Sequence, residues 1–255
     1  REVGIMFISL FLLYINGCSD SVSPNGKNEL KPSSDRTITN NGQDISLHYA
    51  AEHGNTEIVK MLISKRVDID TKDEYGYTAL MIASQKGHVD IVKILLENEA
   101  NIEATNKEGS TALMEAARYQ NENVVNMLLK KGAKVDAQAE YGITSIMLAA
   151  KTKNKNIVKI LLDKNARVDF KDGGGYTALH YVVEYGNIEI AELLLQANAA
   201  IIDFADEDGE TALMIAAFNG HKDMIKYLLE KGANIDAKDN CGCTTLISAT
   251  LSGRE

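Results

Sequence analysis

The sequence predicts an all-α repeat solenoid, and three observations carry that prediction. A glycine two residues ahead of a Thr, or its equivalent, recurs at Gly76, Gly109, Gly142, Gly175, Gly209 and Gly242, with spacings of 33, 33, 33, 34 and 33 residues. Between these glycines the apolar residues fall at helical spacing, as in "ALMIAS" and "VDIVKILLEN". Pro24 and Pro32 are the only prolines and both precede the first copy, so the repeats lack the strongest helix breaker. A period of roughly 20 to 50 residues marks an array in which no unit buries its apolar face alone and each neighbour supplies part of the core.

Each copy reads as a helical hairpin entered through a turn. The first opens near Asp44, where "LHYAAEHGNTEIVKMLI" aligns without a gap on "LMIASQKGHVDIVKILL". In the second, Thr78 occupies an N-cap slot, "ALMIAS" continues as a short helix, and Gly87 stands where the chain needs positive φ to leave it. Ile91, Val92, Leu95 and Leu96 then form one apolar stripe on a second helix. The polar "ATNKEGS" around Gly109 turns the chain into the third copy. One extra residue in "QANAAIIDFADEDGE" of the fifth copy predicts a local bulge in a loop. The seventh copy has "TTLISAT" as a first helix and nothing resembling "DMIKYLLEKGA" after it, so Leu228 and Leu229 are expected to lack a covering helix and the C-terminal end to be the weakest. The repeat domain is therefore placed at 44–255, about six full copies and a truncated seventh.

The unit D-x-x-G-x-T-A-L-M-x-A-A-x-x-G-H-x-x-I-V-x-L-L-L-x-x-G-A-x-I-D-A, carried by "GSTALMEAA", "GYTALHYVV" and "GETALMIAAFNGHKDMIKYLLEKGANIDAKD", resembles the ankyrin repeat. The resemblance implies helix-turn-helix units with projecting β-turn loops, and a concave surface that holds another protein. Where that family commonly writes Thr-Pro-Leu-His, copies two, three and six write Thr-Ala-Leu-Met, and only His48 and His180 keep the imidazole. Met147 and Ile247 fill the same slot elsewhere. Apolar packing is expected to replace a hydrogen bond between repeats there, which a flexible thioether suits.

The N-terminus is a different text. "GIMFISLFLLYING", residues 4–17, is too short for a membrane span of about 20 residues and fits the apolar region of a secretory signal. Ile15-Asn16-Gly17-Cys18 resembles the bacterial lipobox, with Asn16 a departure at the second position; the resemblance implies lipidation of Cys18 and a mature chain that starts there. An ordinary cleaved signal and a buried apolar segment are the other readings. The opening Arg1 points to residues upstream or to a start at Met6. Residues 18–43, rich in Ser, Asn, Pro and charge, read as a disordered polar tether. The expected location is the cell envelope, as a membrane-anchored lipoprotein or a periplasmic or secreted protein.

Several functions are disfavoured. A net charge of −9 with no long Lys or Arg run offers no footprint for nucleic acid. The five histidines all have repeat-slot explanations, "DGGGY" lacks the Lys of a phosphate loop, and no nucleophile stands beside a base, so neither enzyme activity nor a small-molecule substrate, cofactor or metal is expected. Cys241 and Cys243 read as two small loop residues; the alternative is an envelope protein that protects against stress through redox chemistry at this pair.

The resemblance places the residues free to vary at the turn tips and at the ends of the first helices. Six of the ten tyrosines occupy those slots: Tyr75, Tyr77, Tyr119, Tyr141, Tyr176 and Tyr185, with Phe218 continuing the row. Lys86, Arg118, Ile143, Glu207 and Asp208 complete the candidate partner-binding set. Tyr and Arg anchor interfaces because they bring large contact area and a polar tip at low entropy cost. The row ends in the acidic turn "DEDGE", which implies a protein partner with an apolar groove or loop and a basic flank.

Overall fold

The computed structural model describes residues 38–40 and 43–251. The apolar run and Cys18 lie outside the described residues. Where the stretch read as tether meets the first copy, Ile38–Asn40 and Gln43–Ile45 pair as an antiparallel hairpin with Ile38 opposite Ile45.

Thirteen α-helices follow among the described residues, arranged as hairpins. The first helices of the copies are α1 (Leu47–Glu52), α3 (Ala79–Lys86), α5 (Ala112–Arg118), α7 (Ser145–Lys151), α9 (Ala178–Glu184), α11 (Ala212–Asn219) and α13 (Thr245–Leu251). The second helices are α2 (Thr56–Ser64), α4 (Val89–Glu97), α6 (Glu122–Lys130), α8 (Lys155–Leu162), α10 (Ile188–Ala197) and α12 (Lys222–Glu230). Each first helix packs on the first helix of the next copy and, from α1 to α11, on its own second helix. The extra residue of the fifth copy is absorbed in a short 3-10 turn at Ala199–Asp203, the expected loop bulge.

The caps explain the boundaries. Thr78, Thr111 and Thr211 have extended backbones, and their hydroxyls accept from the amides of Met81, Met114 and Met214. Gly87 and Gly220 end their helices at φ 76° and 72°. The core is one continuous cluster, with Leu80, Leu113, Leu179 and Leu213 of the first helices meeting Leu95, Leu128, Leu161 and Leu194 of the second, all almost fully buried. Each such leucine contributes about 2 kcal/mol of burial.

Two sequence expectations about packing meet different outcomes. Met81, Met114, Met147 and Met214 are fully buried, so the thioether does fill the histidine slot. Where the imidazole is kept, His48 Nε2 lies 3.0 Å from the Tyr77 carbonyl of the next copy, and further side-chain bonds between copies come from the slot that opens the second helix: His88 Nε2 is 3.1 Å from the Glu52 carbonyl, His221 Nε2 is 2.8 Å from that of Glu184, and Asn121 Nδ2 donates to the Ser84 and Gln85 carbonyls at 2.8 Å. Leu229 is exposed, as expected, but Leu228 is fully buried, because it occupies the same inward slot of its hairpin as Leu194.

Candidate functional site

The turns that lead into the first helices are built alike and tied together. Asp73 Oδ1 accepts from the amides of Tyr75 and Tyr77, and Asn106, Asp172, Asp206 and Asp239 repeat that pair of bonds in their own turns. Adjacent tips are then joined by main chain. The amide of Lys107 donates to the Tyr75 carbonyl at 3.0 Å, Glu140 to Glu108 at 2.8 Å, Gly173 to Tyr141 at 2.6 Å, Glu207 to Gly174 at 3.0 Å and Asn240 to Asp208 at 2.9 Å. The tips are therefore a rigid ladder whose side chains vary while its backbone does not.

The fourth copy breaks the turn rule. Ala139 stands where the other turns have Asp or Asn, no side chain holds the tip, and Tyr141 adopts φ 57°, a left-handed conformation that a non-glycine residue enters at a cost of about 1 kcal/mol. Its ring stands out, 59% exposed.

Tyr75, Tyr119, Tyr185 and Phe218 join Tyr141 as exposed rings, with Tyr49 at the N-terminal end. All six exposed aromatic residues among the described ones lie on turn tips or first helices, and none on a second helix. Lys153 covers the Tyr185 ring at 4.3 Å from its centroid. Lys86 pairs with Glu52 at 3.4 Å, Ile143 is half-buried, and Glu207 and Asp208 are exposed at the sixth tip.

Tyr77 and Tyr176 do not belong to that exposed row. Both rings pack half-buried against the core, beside Asn106 and Asp206 of the following turn. Burial raises both phenol pKa values. These two side chains join turn to turn, which the slot pattern alone did not distinguish from solvent-facing tyrosine.

Sequence reading also missed a set of buried polar groups on the same side. Glu115 is 1% exposed, in a slot filled elsewhere by Ile82, Leu148 and Ile215. Its carboxyl lies beside Ser110, yet Oε1 has no hydrogen-bond partner, and neither does the buried Nε of Arg118 one turn on. Burial pushes the Glu115 carboxyl up to about 7 despite the nearby Arg118 guanidinium. In the fifth copy the Tyr181 hydroxyl donates to Asp172. Burial, with neighbouring carboxylates, lifts Asp206 to about 6 and Glu210 to about 7. A repeat alignment shows Glu115 as the one charged residue in an otherwise largely apolar slot, which is the signal that could have found it.

Cys241 is exposed and Cys243 half-buried, neither in a disulfide, and both donate their amides to Asp239. Among the described residues no cluster of His, Cys, Asp or Glu is placed to hold a metal ion, and no helix is long and apolar enough to cross a membrane.

Comparison with known proteins places this architecture. The family described as "Ankyrin repeats (3 copies)" matches residues 47–139, 135–206 and 198–255. Among solved structures, the chain is similar to the ankyrin repeat domain of Bcl-3, a member of the IkappaB protein family, at a TM-score of 0.71 and 25% identity, over 80% of this chain and 92% of that one. The human ASB11 ankyrin repeat domain gives a TM-score of 0.70 and 29% identity, over 80% and 90%. Among curated proteins, the mouse (Mus musculus) Protein fem-1 homolog A-like is 37% identical over 54 residues, which are 21% of this chain and 8% of the length of that protein.

Proposed function

Since the chain belongs to the ankyrin repeat family, whose domains are general protein–protein interaction modules, we propose that it is a non-enzymatic binding protein that holds a protein partner on its turns and first helices. One observation carries this reading: every exposed aromatic residue among the described ones stands on that side. An exposed ring costs solubility and adds nothing to stacking, whereas at an interface it supplies contact area at low entropy cost. The ladder of tip amides pre-organises the row, so little ordering accompanies binding. The partner offers an apolar groove or loop to Tyr119, Tyr141 and Tyr185, and a basic flank to Glu207 and Asp208.

The proposal extends to location. The apolar run at 4–17 followed by Cys18 supports an exported protein held at the membrane by a lipidated cysteine, with the polar segment after it as tether. Photo-crosslinkers placed at 119 and 141 should capture a partner in cells, and one at 159 on α8 should not. Crosslinks from 159 alone would place binding on the opposite side. A lipid mass on Cys18, lost with membrane fractionation in Cys18→Ser, checks the anchor.

A further inference from the structure

The proposed surface carries opposite charge at its two ends. Residues 107–172, the third and fourth copies, hold twelve Lys or Arg against eight Asp or Glu, whereas 173–239 hold four against twelve. The fifth copy, residues 173–206, has no Lys or Arg at all. On the turns and first-helix ends this segregation places Lys107, Arg118, Lys151 and Lys153 in one half, against Glu108 and Glu140, and Glu184, Glu207, Asp208 and Glu210 in the other with no base among them. None of Lys107, Lys153, Glu207 and Asp208 takes part in the ion pairs among the described residues, whereas Lys151 and Glu184 attract each other within the chain. At the junction of the halves Tyr141 projects from the fourth tip, with its ring against Gly173 of the fifth.

We propose that this side of the molecule binds a second copy of the chain, antiparallel, about a twofold axis that passes between the fourth and fifth copies. The inference rests on the reading of the turns and first helices as the interaction surface, and names one occupant for it. A twofold contact brings the same patch of both molecules together, so each element must complement its symmetry-related counterpart. An axis in the contact plane, perpendicular to the stacking direction, keeps tips against tips. It sets the third copy against the partner's sixth and the fourth against the partner's fifth. Lys107 then meets an acidic tip of the Glu207 and Asp208 type, and Lys153 meets a Glu184. A parallel arrangement would put like charges together. The antiparallel one satisfies both halves twice over, and its charge pairing makes association salt-dependent.

Sedimentation velocity of the full chain, in a neutral detergent that disperses the apolar N-terminus, tests this. The wild type should be dimeric at about 0.02 M salt and dissociate at about 0.5 M, where screening is nearly complete. Lys107→Glu with Lys153→Glu, and separately Glu207→Lys with Asp208→Lys, change only exposed side chains and should each weaken the dimer by about tenfold or more. Their equimolar mixture should re-form a dimer, because each reversed half then faces its complement; this rescue also shows that both variants fold. A wild type that stays monomeric at low salt across concentrations overturns self-association and leaves the protein-partner reading standing, since that reading falls on the crosslinks. Binding of a Lys-rich peptide by such a monomer would assign the acidic half to a basic partner instead. Dimers that resist both reversals, or a mixture that stays monomeric, overturn the antiparallel arrangement.

Discussion

Glu115 is the residue at which burial and ionisation pull apart. Its slot packs helix on helix, and an isoleucine or leucine there would bury apolar surface with no carboxyl to desolvate. The consequence is a pH dependence whose sign follows from the shift. The folded chain holds this proton up to about 7, against the usual 4.5, so the contribution of Glu115 to stability is greatest below 4.5, falls as pH rises through that window, and levels off above 7. Full ionisation costs on the order of 3 kcal/mol. Glu115→Gln removes the titration: chemical denaturation should find it matched to the wild type near pH 4.5 and more stable at pH 8, and a gap unchanged between those conditions would contradict the assignment. At this scale the sequence was only partly legible. Tyr75, Tyr119, Tyr141, Tyr185 and Phe218 stand exposed where their slots placed them, but Tyr77 and Tyr176 pack against the core beside the following turn, a contact made across the repeat boundary that no slot rule encodes.

The turn and the hairpin were more legible as elements, because their chemistry is local. Thr78, Gly87 and the apolar stripe of α4 follow from cap and period rules and needed no knowledge of the neighbours. What escaped was the fourth turn, where Ala139 removes the side-chain acceptor and leaves Tyr141 in the left-handed region. Glycines of the same φ sign also differ by surroundings. A Cβ at Gly175 would lie 2.7 Å from the Glu207 nitrogen and 2.8 Å from Asp206 backbone atoms, in the close approach that the tip ladder requires. Gly132, at φ 93°, has nothing within 4 Å of such an atom. Gly132→Ala should therefore cost about 1 kcal/mol for its backbone alone, and Gly175→Ala roughly 3 kcal/mol or more, because the ladder must open as well. Equal losses in thermal melts would mean that the tip contacts do not hold the stack.

Across the whole repeat array, stability is a sum over hairpins and the interfaces between them. Interior first helices are covered on both sides, whereas α13 leaves Leu246, Ile247 and Leu251 exposed. Amide exchange should thus be faster from Asp239 onward than in the third and fourth copies, and equal protection would show that something covers that end. The binding row runs over the well-covered interior, where a rigid surface is available. Its most direct test joins two readings on the same variants, Tyr119→Ala and Tyr141→Ala, with melting temperature and affinity for a crosslinked partner both measured. Exposed rings that serve binding should leave stability within about 1 kcal/mol of the wild type and lose about 2 kcal/mol of affinity each, roughly thirtyfold. Variants that unfold while each remaining folded molecule binds as before would make the row part of the stack and contradict its role in recognition.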